Sequence, residues 1–497
     1  MLQSAHGAAR HISARTMEEL FELAQAYDSE PAHRLYLVRE AVCLLGDLSP
    51  WWLAPDALDL VANSCPDPRY RDYARLARSA EPEPGLALVT CVWKECGASP
   101  AGADHWGLLR HGAVLPVRWY AGRSHDETLP QRLLELADAV LEEFATEKGW
   151  PTDGCPLDEF GLGWASALSG KIDARSLPME AESAFFALAA ALYLARHAPQ
   201  APSNPKIWVS AAWDPNDRYV RRVDGIRYKV ATALQFGAKT IFVPPGNLHE
   251  ARKAVQDLSA DASPDVVRSV PTQNTFAATL KPILVQYRVR PPANAPFDEL
   301  KAYHLYIAPL DRRQCKEFHA SHLFPHIVKK CVEQLPPDLR ELAERRPVLV
   351  APVSHSEDLI RLAWRVFNCR KLVAVLIGGK DTPAARQGLE RLKNWDIPEP
   401  CLFEFPERGW PETCARAREL YEQVLRELDG PVLVDLTPGF KVVSLALLLA
   451  RPAGNLPETH YVYLSHDWLP LSGVREPAPG SQRYERVDPG QAPLFRA

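Results

Sequence analysis

The C-terminal part of the chain alternates short apolar segments with helical ones, and this alternation constrains the fold more than any other feature. From Pro347 onward, the strand-like segments are VLVAPVS, KLVAVLIGG, CLFEF, PVLVDLTPGFK and HYVYLSHDW. Apolar strands that alternate with helices specify a parallel sheet with right-handed crossovers. The sequence therefore predicts a Rossmann-like α/β domain over residues 346–497.

One segment of this domain, PVLVDLTPGFKVVSLALLLA at 431–450, combines a strand, a polar turn and a helix. The pattern predicts a buried strand over Val432–Val434 and a buried helix over Val442–Ala450. A strand that leads through such a turn into a helix presents main-chain N–H groups to an anion, and Lys441 adds a positive charge. The alternative is an ordinary β-to-α turn with a surface lysine, and both interpretations stay open at this point.

Ligands of parallel α/β sheets bind beyond the carboxyl ends of the strands. Three predicted loops converge there, and their residues are the candidate ligand-binding residues: Ser354, His355, Ser356, Gly378, Gly379, Lys380, Thr437, Pro438, Gly439, Phe440 and Lys441. Ser354 and Glu357 also fit a helix capping box, which is a purely structural role. The sequence contains no G-x-G-x-x-G after the first strand and no G-x4-G-K-[ST], which argues against a dinucleotide cofactor or an NTP hydrolase.

The size and charge of the chain limit its domains and partners. With 497 residues it exceeds one hydrophobic core, so we expect two or three domains. A net charge of −5 provides no global field that would recruit DNA or an anionic membrane. The chain has no apolar run long enough to span a bilayer and no signal peptide, so we expect a cytoplasmic protein. The ten cysteines show no zinc-binding spacing, so we expect no metal.

Upstream of the α/β domain the pattern changes three times. Helical periodicity predicts a helical region over 1–84, and strand-like segments followed by helices predict an α+β domain over 85–287. A proline-rich tract at 290–296 predicts a linker, and 288–345 is expected to add a connecting strand, AYHLYIAP, and a helix.

Arg313 and His319 form an R-x5-H pattern that is also found in HEPN-type ribonucleases. Arginine and histidine on one helical face are also ordinary surface residues. The predicted helical segment is too short for that fold, so a ribonuclease is the less favoured alternative.

Ser183 lies at the start of an apolar helix, MEAESAFFALAAALYLARHAP. A serine at this place is most often a helix cap. A nucleophilic serine instead needs a base within hydrogen-bonding reach, and the next segments supply a lysine.

Lys229 shares a helical stripe with Ile226, Val230 and Ala233. A lysine on a core-facing stripe loses hydration, which lowers its pKa and lets the neutral amine act as a general base. The alternative is a lysine that extends to water along the apolar surface.

The segments AESAFFALAAAL and VDGIRYKVATALQFGAKTIFVP resemble the proteolytic domain of Lon proteases, whose motifs are G-P-S-A-G and G-G-[IL]-K-E-K-x-x-A. The resemblance spans roughly 85–287. It implies that Ser183 is the nucleophile, that Lys229 is the base of a Ser/Lys dyad, and that Ser210 supports the dyad where the family has a threonine. The sequence departs from the family at Glu182, Phe185 and Asp224, which replace a proline and two glycines, and an inactive scaffold is therefore the alternative.

The strand and helix order with D-L-T-P-G-F-K after the fourth strand is similar to CARF domains of CRISPR-associated proteins, over about 347–475. That resemblance implies binding of a cyclic oligoadenylate, although Pro438 and Phe440 stand where the family more often has glycine and threonine. Whether the ring is a tetra- or hexa-adenylate, and whether the domain degrades it, stays open.

Together the two resemblances imply a CRISPR-associated Lon-CARF protease of type III antiviral defence. Catalysis needs no cofactor, and the cyclic oligoadenylate is an allosteric activator. The ring symmetry of such a ligand favours a homodimer through the CARF domain, with a higher assembly on activation as a further option. The expected substrate is a specific partner protein, such as a co-encoded toxin or regulator. The alternatives are a nucleotide sensor with an inactive Lon-like scaffold and, less favoured, a CARF ribonuclease.

Overall fold

The computed structural model of the chain describes residues 83–93, 112–147, 150, 156–166, 169, 175, 179–258, 263–353, 357–378, 382–393, 397–406, 409–438, 441–450, 458–467 and 477–488. The chain divides into two compact units. The first contains the residues up to Pro292 and Leu305–Arg312, and the second contains Ala293–His304 and the residues from Arg313 onward. The helical region expected over 1–84 lies outside the described residues except for its last two positions.

An antiparallel sheet of four strands opens the first unit, in the order β3-β2-β1-β4. Its strands are β1 (Leu86–Trp93), β2 (Gly112–Ala121), β3 (Phe160–Trp164) and β4 (Met179–Glu180). Helix α1 (Gln131–Thr146) lies between β2 and β3 in the chain, and helix α2 (Phe185–His197) follows β4. All residues of α2 from Phe185 to Ala195 are buried, so this helix forms the centre of the unit.

A second set of elements completes the first unit. Its strands are β5 (Ile207–Val209), β6 (Ala212–Asp214), β7 (Tyr219–Arg221), β8 (Thr240–Val243) and β9 (Val267–Ser269). Strands β5, β8 and β9 form a parallel sheet in the order β5-β8-β9, and β6 and β7 form a hairpin. The helices are α3 (Ile226–Gln235), α4 (Leu248–Leu258) and α5 (Phe276–Tyr287).

The apolar segment KIWVSAAWD at 206–214 is typical of a single buried strand, but the structure contains two short strands with a break at Ser210 and Ala211. The pairing of β5 with β8 ends there, because Ser210 still bonds to β8 whereas the N–H of Ala211 bonds to the turn that carries Ser183. Ser210 N donates to Phe242 O at 2.9 Å, and Ala211 N donates to Ser183 O at 2.8 Å. The break therefore attaches the strand to the turn that carries Ser183.

After α5 the chain is helical up to the first strand of the second sheet. The helices of this segment are α6 (Phe297–Ile307), α7 (Arg312–Phe318), α8 (Phe324–Glu333) and α9 (Pro337–Glu344), with a π-helical turn at His319–Leu323. The expectation of a strand at AYHLYIAP is wrong, since Phe297–Ile307 is helical. Leu300, Tyr303 and Ile307 are buried, and their spacing is that of one helical face. Arg313 is exposed and pairs with Glu317 one turn later.

The second unit is organised around a sheet of six strands in the order β12-β11-β10-β13-β14-β15. The strands are β10 (Val348–Val353), β11 (Lys371–Ile377), β12 (Cys401–Phe405), β13 (Val432–Asp435), β14 (Thr459–Ser465) and β15 (Arg483–Arg486). The intervening helices are α10 (Glu357–Val366), α11 (Pro383–Lys393), α12 (Trp410–Glu419) with a π-helical turn at Leu420–Leu425, and α13 (Lys441–Leu449).

Five strands of this sheet are parallel, and only β15 is antiparallel to its neighbour. The predicted mixed α/β architecture with a largely parallel C-terminal sheet is thus confirmed at this level. Strand order reverses between β10 and β13, because the chain adds β11 and β12 on one side before it returns to the other. None of the described helices is both long and apolar enough to cross a membrane.

Candidate functional site

Ser183 and Lys229 meet in the interior of the first unit. Lys229 Nζ donates a hydrogen bond to Ser183 Oγ at 3.0 Å, and both residues are only 5% exposed. Two alternatives from the sequence are therefore excluded for the described structure. Lys229 does not extend to water, and Ser183 does not cap helix α2, which has no side-chain cap. A hydroxyl in direct contact with an amine is the arrangement that activation of a serine nucleophile requires.

The turn that carries Ser183 is fixed by main-chain bonds. Ser183 lies in a 3-10 turn, Glu182–Ala184, immediately before α2. Its carbonyl accepts from Ala211 N at 2.8 Å, and Ala184 N donates to Ala181 O at 2.8 Å. Because Ala211 directly follows Ser210, which bonds to β8, the main chain at Ser183 is held beside the parallel sheet β5-β8-β9.

Lys229 lies in the first turns of α3, and its neighbours on the inward stripe, Ile226, Val230 and Ala233, are buried as the periodicity predicts. The helix starts after Gly225, whose φ of 63° lies in the left-handed region that favours glycine. Lys229 N donates to Gly225 O at 3.2 Å. The direction in which the Lys229 side chain leaves the helix therefore depends on the conformation at Gly225.

Asn247 is a fully buried polar residue that the sequence reasoning missed. Its side chain makes two hydrogen bonds to the main chain of Val223, from Val223 N to Oδ1 and from Nδ2 to Val223 O, each at 2.9 Å. The sequence signal was weak, since a single asparagine after P-P-G is typical of any turn.

Phe185, the first residue of α2, packs into an aromatic cluster. Its ring lies 5.7 Å from that of Phe186 and 5.8 Å from that of Phe276, measured between centroids. Trp213 of β6 contacts both Phe186 and Phe276. The side chain of Phe185 is therefore part of the core beside the turn that carries Ser183.

Ser210, expected to support the dyad, is buried close to the residue that binds the Ser183 turn. Its main-chain N–H bonds to Phe242 O, while its Oγ has no hydrogen-bond partner among the described residues. Support of Lys229 by this hydroxyl stays a prediction.

The predicted ligand-binding loops of the second unit begin at one edge of the sheet. Val353 at the end of β10 is paired in register with Leu376 of β11, and Val350 of β10 is paired with Val434 of β13. The loops that follow these three strands therefore start side by side, at the place where strand order reverses. In open α/β sheets this is the usual position of a ligand crevice.

The structure describes only some of the eleven candidate ligand residues. Ser354, His355, Ser356, Gly379, Lys380, Gly439 and Phe440 lie outside the described residues. Gly378 has a φ of 75° and donates its N–H to Phe405 O at 3.0 Å. Pro438 is buried, and Lys441 is the exposed first residue of α13.

Thr437 already has structural partners within the turn. Its Oγ1 accepts from Leu464 N at 2.7 Å, and its N–H donates to Asp435 Oδ1 at 2.9 Å. A side-chain oxygen that accepts from the main chain two residues later is an Asx turn. This geometry connects β13, the candidate turn and β14.

Asp435 is the second residue that the sequence reasoning missed. It is completely buried, and its Oδ2 has no hydrogen-bond partner among the described residues. Burial raises the pKa of Asp435 to about 6, and the hydrogen bonds from Thr437 oppose that rise. The D-x-T spacing was a usable signal for an Asx turn, but it does not indicate burial.

Among the described residues, no group of three or more His, Cys, Asp or Glu side chains is arranged to hold a metal ion. Comparison of the chain with protein-family models and with curated proteins finds no match in either case.

Proposed function

We propose that the protein is a serine endopeptidase in which Ser183 is the nucleophile and Lys229 is the general base. The observation that carries the proposal is the buried hydrogen bond of 3.0 Å between Lys229 Nζ and Ser183 Oγ. Loss of hydration favours a neutral lysine amine, and a neutral amine at this distance can accept the hydroxyl proton.

The proposed reaction is acyl transfer to water. Ser183 Oγ attacks the peptide carbonyl carbon while its proton passes to Lys229 Nζ, and the resulting ammonium protonates the amine that leaves. In the second half, a water molecule loses a proton to Nζ and attacks the acyl ester. Collapse of that intermediate returns the proton to Ser183 Oγ and releases the carboxylic acid, so both residues are restored.

We further propose that the second unit binds a cyclic oligoadenylate that activates the peptidase, in type III CRISPR defence. Three loops start together at the reversal of strand order, and Lys441 brings an exposed positive charge to the N-terminus of α13. Helix N-termini and lysines both favour phosphate oxygens. The symmetry of a cyclic ligand favours a homodimer, and the expected substrate is a co-encoded toxin or regulator in the cytoplasm.

The test is to incubate the purified protein with the products of neighbouring genes, with and without cyclic tetra-adenylate or hexa-adenylate. We expect ligand-dependent cleavage of one protein, and we expect Ser183→Ala to abolish it. Lys441→Ala should remove the ligand response and leave the circular dichroism spectrum unchanged. Cleavage that survives Ser183→Ala would refute the dyad, and unchanged ligand affinity in Lys441→Ala would refute the proposed ligand site.

A specific observation also favours a second function, a sensor whose Lon-like unit is an inactive scaffold. Phe185 occupies a position where the Lon-type motif has glycine, and its ring fills the core beside Ser183. Such a protein would bind the nucleotide and a partner protein without cutting the partner. The same incubation distinguishes the two, because the scaffold predicts a stable complex that is identical in the Ser183→Ala variant.

A further inference from the structure

The two hydrogen bonds between Asn247 and Val223 act on the segment that leads to Lys229. Asn247 is 0% exposed, and its carboxamide pairs with both the N–H and the C=O of Val223, as a neighbouring strand would. Two residues after Val223, the chain takes its left-handed conformation at Gly225, and α3 begins. These two hydrogen bonds therefore hold the main chain immediately before α3, the helix that carries Lys229.

Asn247 is itself held in place by main-chain hydrogen bonds and strand pairing. Asn247 ends the 3-10 turn Pro245–Asn247, which follows β8, and its own N–H donates to Pro244 O at 2.9 Å. Strand β8 is paired with β5, and Ser210 after β5 bonds to Phe242 of β8. The nucleophile turn and the lysine helix are thus both attached to the same parallel sheet, the first through Ala211 and the second through Asn247.

We propose that Asn247 is a positioning residue that sets the distance between Lys229 Nζ and Ser183 Oγ. This inference rests on the proposed function, because it assigns a role within the Ser183–Lys229 reaction. Without the carboxamide, Val223 loses the partners of a buried N–H and a buried C=O, and the start of α3 has to move to satisfy them. A displacement of about 1 Å at a reacting group costs about 100-fold in rate.

The test measures the covalent reaction of Ser183 with a fluorophosphonate probe, which needs no knowledge of the natural substrate. Labelling is followed against probe concentration and pH, with and without cyclic tetra- and hexa-adenylate, in the full-length protein. The variants are Asn247→Ala and Asn247→Asp, and the second preserves the shape and the bond from Val223 N. Asn204→Ala is the matched control, since Asn204 likewise bonds to main-chain groups, at Lys206 N and Gln286 O, at the opposite end of β5.

We expect the limiting labelling rate to fall about 10-fold to 100-fold in Asn247→Ala, and by at least as much in Asn247→Asp, because a carboxylate oxygen would face Val223 O and Glu250 Oε2 in place of the donor Nδ2. The probe concentration at half-saturation should change less than twofold in both. The pH at half-maximal labelling should rise in Asn247→Ala, because an amine that regains water is harder to deprotonate. Asn204→Ala should match the wild type in all three quantities.

The possible failures are distinguishable. If wild-type Ser183 is labelled but Asn247→Ala reacts within twofold of it, the positioning role is refuted and the dyad stands. An equal loss in Asn204→Ala would also refute the role, because the effect would then follow general destabilisation. If the probe does not label Ser183 in the wild type under any of these conditions, the proposed function is refuted together with this inference.

Discussion

Asp435 allows a quantitative prediction about the second unit. Its pKa is raised from 3.8 to about 6 by complete burial. Because the folded-state pKa is above the unfolded value, the carboxyl group favours folding only while it is protonated. Its contribution is fully present below pH 3.8 and is lost as the pH rises to 6. The shift corresponds to a destabilisation of about 3 kcal/mol above pH 7, at 1.36 kcal/mol per pKa unit.

Asp435→Asn removes the charge and preserves an oxygen that can accept from Thr437 N. The new NH₂ group lies where Oδ2 has no partner among the described residues, and we expect this to cost a constant 1–3 kcal/mol, about the value for an unpaired buried donor. The informative quantity is therefore the pH dependence. We expect the stability of Asp435→Asn relative to wild type to increase by about 2 kcal/mol between pH 4 and pH 7, and then to stay constant.

The assay is urea unfolding of the full chain at several pH values, with the two proteins compared at each pH so that other titrating groups cancel. Asp429→Asn, which removes an exposed carboxylate just before β13, provides the baseline. A difference between Asp435→Asn and wild type that does not vary over this pH range would refute the reasoning. It would mean that water or a counter-ion reaches the carboxylate.

Three further predictions concern the first unit. Lys229→Met should abolish fluorophosphonate labelling of Ser183. The urea midpoint of this variant should stay equal or rise, because a buried amine is replaced by an apolar side chain. A Lys229→Met variant that is still labelled would exclude Lys229 as the base. Gly225→Ala should lower the free energy of unfolding by about 1–2 kcal/mol, because alanine is strained at a φ of 63°, and it should slow labelling of Ser183. A glycine-to-alanine substitution at a position with negative φ should have neither effect. Phe185→Ala should cost about 3–5 kcal/mol in the same unfolding assay, and a loss below about 1 kcal/mol would show that the aromatic cluster does not depend on this ring.

The clearest sequence signals of the second sheet are those of β10, β11 and β13, because each is an apolar and almost fully buried run between two helices. Strands that are buried on both faces leave this strong signal. The same reasoning failed at AYHLYIAP, where aromatic and branched residues suggested a strand. The helical face there is Leu300, Tyr303 and Ile307, so the period becomes visible only when the window starts before residue 302.

At the candidate site, spacing alone did not bring Ser183 and Lys229 together. Each had a plausible structural alternative, and the resemblance to a known motif selected the pair that the structure places in contact. The bonds that position the pair were not predictable. They join a side chain to the main chain of Val223, or two main-chain segments at Ala211, and such bonds leave no periodic pattern in a sequence.

The attachment of the segments that carry Ser183 and Lys229 to one sheet determines where the chain tolerates a change of length. The turn of the β6–β7 hairpin is exposed, and the N–H groups of Asn216 and Asp217 bond locally to Asp214 Oδ1. Added residues there leave both attachment points in place. One residue inserted between Gly225 and Lys229 would instead rotate the amine about 100° around the axis of α3. Proteins that preserve the contact between Ser183 and Lys229 are therefore expected to differ in length at the hairpin and to preserve the interval from Gly225 to Lys229.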